Sequence, residues 1–145
     1  MKVLIGLMFS AVLFAQAPVQ FDGEKSKIRE LLAGKKYEKA LAAAQSLNQK
    51  YPDDIACYQF LVDAHLGLGQ KKEAERQAQW MLDLRVGKAD AQGWWRVAKV
   101  RAAYGEIDDA LAAMAQALRM ARLDKDPDLP SMTAYTNELK AQKLN

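Results

Sequence analysis

The chain has 145 residues, about the length of one domain. Half of its residues are hydrophobic and 27% are charged, a composition typical of globular proteins, and its formal charge of +3 at pH 7 is too small for the basic surface of a nucleic-acid binder. One cysteine and one histidine exclude an internal disulfide and a zinc site of the Cys₄ or Cys₂His₂ type, so we expect no metal and no cofactor.

The first seventeen residues have the features of a secretory signal peptide. Lys2 gives a positive start, residues 3–14 carry no charge, and small residues stand at positions 15 and 17. Such an apolar stretch spans roughly 18 Å as a helix, less than the ~30 Å hydrocarbon core of a bilayer. We therefore predict a signal peptide over 1–17 and a periplasmic or secreted bacterial protein. The alternative is that the leader stays uncleaved as a membrane anchor.

The rest of the chain predicts six helices in three similar pairs, followed by a seventh helix. An alanine holds the same place early in the second helix of each pair: Ala40, Ala74 and Ala110, which lie 34 and 36 residues apart. Gly69 and Gly105 fall in the turns that precede the second and third of these alanines. The predicted helices cover 23–33, 37–50, 54–68, 71–85, 90–104 and 107–122, and a linker with prolines leads to a last helix near 131–144.

A helix pair repeated at this period resembles the tetratricopeptide repeat (TPR) family. The family's large residue near the start of the first helix corresponds to Tyr58 and Trp94, its turn glycine to Gly69 and Gly105, and its closing proline to Pro52. The resemblance implies an all-α fold, a right-handed superhelical stack of about three TPR helix pairs with a C-terminal capping helix. It divides the chain into repeats over 18–123 (about 22–52, 55–86 and 91–122) and a linker with a capping helix over 124–145.

The small and large residues have physical roles in such a stack. An alanine lets the two helices of a pair approach closely, and a turn glycine adopts positive φ without steric cost. One helix pair cannot bury its apolar face alone, so successive pairs cover one another. We expect Trp94 to fill the hollow between paired helices.

Candidate catalytic residues are few. His65 and Cys57 lie on one predicted helix, no second histidine or cysteine accompanies them, and no nucleophile stands beside a base. We interpret both as structural residues and predict that the protein is not an enzyme. The alternative is an accessory domain or an enzyme built around His65.

In the TPR family the first helix of each pair lines a concave groove, and the resemblance places candidate peptide-binding residues there. Trp95 points about 100° away from Trp94 on the helix, so one of them enters the core and the other faces the groove or a neighbour. With Arg96 and Lys99 beside it, Trp95 suits an apolar peptide anchor that has an acidic end. The alternative is that Trp95 packs against the capping helix or the second pair. The candidate set is Lys25, Arg29, Gln59, Asp63, Gln92, Trp95, Arg96 and Lys99, with Leu66, Ala102 and Ala103 at further groove positions.

The sequence thus predicts a non-enzymatic scaffold of the bacterial cell envelope that binds a protein or peptide in this groove. The alternative is a structural subunit of an envelope assembly that binds through its outer face or edges. We expect no nucleic-acid partner, and contact with a membrane only if the leader is retained.

Overall fold

The computed structural model describes residues 18–83 and 90–145, with side chains from residue 22 onward. These ranges form seven α-helices and no strand. The predicted leader and residues 84–89 lie outside the described residues. The helices are α1 (Pro18–Ala33), α2 (Tyr37–Lys50), α3 (Ile55–Gly67), α4 (Lys71–Asp83), α5 (Ala91–Ala103), α6 (Ile107–Asp124) and α7 (Leu129–Lys143).

The same tight turn joins the two helices of each pair. Gly69 and Gly105 adopt φ of +72° and +79°, and in the first pair Lys35 takes this conformation with φ of +56°. In every turn the residue directly after the one with positive φ donates its backbone N–H to the carbonyl five residues earlier in the chain. Gln70, for example, donates to the carbonyl of His65 at 2.9 Å. Because Lys35 has a Cβ, the first turn carries a steric cost that the glycine turns avoid.

The three repeated alanines occupy equivalent buried places. Ala40, Ala74 and Ala110 have no exposed surface, and each lies in the first turn of α2, α4 or α6. Each donates its backbone N–H to the carbonyl of the residue just before the helix, at 2.9 to 3.1 Å. A larger side chain there would separate the paired helices, because nothing but packed protein surrounds the Cβ.

The helices pack in two layers. α1, α3 and α5 contact one another in sequence, while α2 packs between α1 and α3, and α4 between α3 and α5. α6 packs between α5 and α7, so the last helix covers the end of the stack. The predicted all-α stack with a TPR-like fold is confirmed. No helix in the described ranges is long and apolar enough to cross a membrane.

Three clusters of buried side chains follow one another along the stack. Ile28, Leu47 and Phe60 belong to the first cluster, and Val62 and Met81 to the second. The third joins α5, α6 and α7 and includes fully buried Met114, Met132 and Leu139. Consecutive pairs therefore share a continuous apolar interior.

Trp94 lies beside the apolar core of the third helix pair. It is only partly buried and packs against the third cluster, whereas Met114 and Met132 supply the fully buried bulk there.

Candidate functional site: the concave groove

A groove of about 580 Å³ runs across the layer formed by α1, α3 and α5. Its floor consists of Leu66 and Gly67 at the end of α3 and of Ala102 and Ala103 at the end of α5. Five of the seven helices contribute to its walls, because α2 and α7 reach it from either side. The full lining is Leu32, Tyr37, Asp63, Leu66, Gly67, Lys99, Ala102, Ala103, Tyr135 and Gln142.

The ring of Tyr37 lies directly on the backbone of Gly67. A Cβ built on Gly67 would fall 2.3 Å from two ring carbons, far inside van der Waals contact. Only glycine allows the start of α2 to approach the end of α3 in this way. This contact fixes the Tyr37 ring as one wall of the groove.

An ionic cluster on α3 and α5 forms the polar part of the groove. Asp63 accepts a hydrogen bond from Arg96 Nη2 and one from Lys99 Nζ, both at 3.1 Å. All three side chains are largely buried, with 11% of Arg96 and 27% of Lys99 exposed. Burial lowers the pKa of Lys99, an effect that Asp63 opposes and Arg96 reinforces. The cluster carries one more positive than negative charge.

A glutamine connects this cluster to the linker before α7. Arg96 Nη1 donates to Gln92 Oε1 at 2.6 Å. Gln92 Nε2 in turn donates to Asp128 Oδ2 at 2.8 Å and to Asp126 Oδ2 at 3.3 Å. The position of the capping helix is therefore tied to the charged residues of the groove.

Trp95 packs against the capping helix. Its ring centroid lies 6.4 Å from that of Tyr135, with the two planes inclined by 50°. The Arg96 guanidinium carbon and Lys99 Nζ lie 5.1 and 5.0 Å from the Trp95 ring centroid, as in cation–π pairs. Among the described residues, neither Trp95 Nε1 nor Arg96 Nε, both buried, has a hydrogen-bond partner. Of the two placements open from the sequence, the structure has the packed one, so this ring is not a free anchor for a peptide.

Three other candidate residues lie apart from this cluster. Lys25 pairs with Asp54 at 2.7 Å, across the start of α3. The Arg29 guanidinium lies 5.7 Å from the centroid of the Phe60 ring. Gln59 is half-buried on α3. None of them lines the groove, so only Asp63 and Lys99 of the eight candidates do.

The two residues considered for chemistry are enclosed by the fold. His65 is 7% exposed, and its Nδ1 lies 2.7 Å from Gln70 Oε1. Cys57 is fully buried, and burial, followed by the charge of Asp54, raises its pKa to about 11. In the ranges 18–83 and 90–145 no group of three or more histidine, cysteine, aspartate or glutamate residues could hold a metal ion.

Sequence reasoning missed several groove residues. Leu32 and Tyr37 belong to the first pair, and Tyr135 and Gln142 belong to the helix after the repeats. The sequence spacing could have indicated the ionic cluster, because Asp63 lies 33 residues before Arg96 and 36 residues before Lys99. This separation is about one repeat, so the residues occupy similar places on adjacent helices.

The comparisons with known proteins concern the fold. No protein-family model matches the chain, and no curated protein matches its sequence. Among solved structures, the chain is similar to a crystal structure of the Yersinia enterocolitica type III secretion translocator chaperone SycD, in an alternative dimer. The identity is 17%, the TM-score is 0.69, and the match covers 86% of this chain and 92% of SycD. At this identity the likeness extends to the fold alone.

Proposed function

We propose that this protein is a non-enzymatic scaffold that binds a segment of another polypeptide in the concave groove. The observation that carries the proposal is the groove of about 580 Å³, which five helices line with apolar, aromatic and charged side chains. A preformed groove lowers the conformational cost of binding, because its walls are already held by the fold. The likeness to a translocator chaperone supports the same type of activity.

The lining defines the chemistry of the bound segment. Leu66, Ala102 and Ala103 offer an apolar floor, and the small side chains of the two alanines leave room for the backbone of a ligand. Tyr37 and Tyr135 offer aromatic faces and phenol groups at the walls. A short segment with one or two apolar side chains, and polar groups for the two phenols, fits this combination.

The ionisable groups of the groove support binding rather than catalysis. Burial, with a smaller effect of Glu138, raises the pKa of Tyr135 to about 12, so its phenol stays protonated at neutral pH. Lys99 is hydrogen-bonded to Asp63 at 3.1 Å, so its ammonium group is held as part of an ion pair. His65 and Cys57 do not line the groove. No nucleophile with its base is assembled in this lining.

Site-specific photo-crosslinking in cells tests the proposal. A photoreactive residue at Leu66, inside the groove, should trap a defined partner, whereas the same residue at Gln45, exposed on α2, should not. The crosslinked segment is then synthesised and its affinity for the purified protein is measured by calorimetry.

A pair of matched substitutions then separates the groove from the rest of the surface. Ala103→Arg fills the groove and should weaken binding about tenfold or more, whereas Ala112→Arg on the exposed face of α6 should have little effect. Equal affinity of the two variants, both folded by circular dichroism, would contradict the proposal.

We also propose that the protein acts in the bacterial cell envelope. The support is the order of charged, apolar and small residues in the first seventeen positions. Fractionation of cells that express the full chain, with the mass of the purified product, tests the location. A cytoplasmic protein of full mass would contradict it.

A further inference from the structure

Helix α4 presents one face that no other helix of the described ranges covers. Its buried residues, Ala74, Ala78 and Met81, contact α3 and α5. On the opposite side lie Arg76, Gln79, Trp80 and Asp83, spaced as one helix face and all exposed. Trp80 is 50% exposed, more than any other aromatic side chain whose surroundings are described.

This face is specific to α4. The repeat-equivalent places of Arg76 and Trp80 are Ala42 and Ser46 on α2, which are both exposed. The equivalent places on α6 are taken by Ala112 and Gln116, which are also exposed. None of these four residues is charged or aromatic, so among the second helices of the three pairs only α4 carries a charge and an aromatic side chain at these two places.

We propose that this face of α4 pairs with the same face of a second copy of the chain. A two-fold axis that passes between Gln79 and Trp80 brings the two helices together antiparallel. In that arrangement Arg76 meets the partner's Asp83, and the partner's Arg76 meets Asp83. The two Trp80 rings cover one another near the axis and lose their contact with water.

The charge pattern selects the antiparallel arrangement and a second copy as the occupant. Arg76 lies four residues before Trp80 and Asp83 three residues after it, so reversing one helix aligns opposite charges. A parallel arrangement would set like charges against each other. Gln79, which donates to Asp83 Oδ1 at 2.9 Å within the helix, holds the carboxylate on this face.

The interaction is independent of the groove. α4 does not line the groove, so a dimer of this kind leaves both grooves open. One helix face per copy buries less than the ~1,600 Å² of a standard interface, so we expect a dissociation constant of roughly tens of micromolar.

Sedimentation velocity on the full chain, over concentrations that bracket this value, tests the proposal. The wild type should pass from monomer to dimer as concentration rises. Trp80→Ala and Arg76→Glu should each raise the dissociation constant about tenfold or more, because the first removes the apolar contact and the second opposes the partner's Asp83. All variants carry the same N-terminal segment, so any association that it drives is common to them.

A charge swap separates the proposed geometry from a general surface effect. Asp83→Arg alone should also weaken the dimer, and the double variant Arg76→Glu, Asp83→Arg should restore it, because the two pairs re-form in reverse. Arg119→Glu, on the exposed face of α6, should leave association unchanged. A wild type that stays monomeric, single variants that dimerise as the wild type does, or a double variant that fails to recover would overturn the proposal.

Discussion

The first helix pair (α1–α2) and the third (α5–α6) have the same turn geometry but different residues. Both turns contain a residue with positive φ, Lys35 at +56° in the first and Gly105 at +79° in the third. Both place a fully buried alanine, Ala40 or Ala110, early in the second helix. The same backbone is therefore built with a strained residue at one end of the stack and an unstrained one at the other.

The two pairs also differ in what covers them. α7 packs on α6, whereas in the described ranges no helix packs on the outer side of α1 and α2. A cleft of about 180 Å³ there reaches Ile28, Ala43 and Leu47, and Lys50 bridges to Glu24 at 2.8 Å beside it. We infer that the C-terminal end is the more stable one, and four measurements test this difference.

Leu139→Ala in α7 should have the largest effect. Leu139 is fully buried in the third cluster, so its removal leaves a cavity and should cost about 2–5 kcal/mol of the free energy of unfolding, as measured by urea denaturation. Leu144→Ala is the matched control, because Leu144 is 87% exposed and its loss should change stability by less than about 0.5 kcal/mol. Similar losses in the two variants would show that α7 does not seal the core.

Cys57 reports on the opening of the N-terminal end. Burial raises the pKa of its thiol to about 11, so at pH 8 the thiolate fraction of the folded protein should be roughly a hundredfold below that of an unburied cysteine. Labelling with a disulfide reagent should be correspondingly slow in buffer and fast in denaturant. Because the raised pKa favours the folded state below the unfolded pKa, stability should fall as pH rises from about 9 toward 11. Rapid labelling of the native protein at pH 8 would contradict the packing of α1 and α2 over this residue.

Gly67→Ala and Gly23→Ala should shift stability in opposite directions. A Cβ at Gly67 collides with the Tyr37 ring, which should cost about 1–3 kcal/mol, whereas a Cβ at Gly23 in α1 meets nothing within 4 Å. The latter should gain up to about 1 kcal/mol, because alanine favours a helix more than glycine does. Adding Tyr37→Ala should remove most of the penalty at Gly67. Thermal melts of these three variants and the wild type check this, and a penalty at Gly67 that persists without the Tyr37 ring would assign it to another cause.

Lys35→Gly should have the smallest effect, a gain of about 0.5–1 kcal/mol, because glycine adopts the left-handed conformation without a Cβ penalty. Gly105→Ala, its counterpart in the third pair, should lose about 1 kcal/mol. Chemical denaturation measures both. A loss at Lys35→Gly would mean that the lysine side chain makes a compensating contact.

The fold was largely predictable because its determinants are local and repeated. Ala40, Ala74 and Ala110 marked the helix pairs, and Gly69 and Gly105 marked two of the turns. Helix ends were less predictable: α7 begins at Leu129 rather than near 131, because Pro130 is tolerated in a first turn where no backbone N–H is needed. Asp54 and Asp90 accept backbone N–H bonds from Ala56 and Gly93 at the starts of α3 and α5, which is the role that aspartate commonly has just before a helix.

The groove was less predictable because it depends on contacts between distant segments. Tyr135 lines it only because α7 packs on α6 with this ring turned toward Trp95 of α5, and no repeat places that helix. The packing of Trp95 against Tyr135 also depends on where α7 lies. The sequence alone therefore could not decide whether Trp95 faces the groove or packs against another helix. The contact of Tyr37 with Gly67 requires both residues, and no pattern in the sequence pairs them.

The cleft between α1 and α2 is not covered by another helix of the described ranges, so protein engineering could extend the stack at this end. A designed hairpin fused before Pro18 would find a docking surface at this cleft, with a small apolar side chain aimed at half-buried Ala43 and charged ones at Glu24 and Lys27, because Ile28 and Leu47 beneath are already buried. At the other end, the polar outer side of α7, with Asn137 and Lys140 exposed, offers no such surface. Lengthening this scaffold therefore requires new modules only at its N-terminal side.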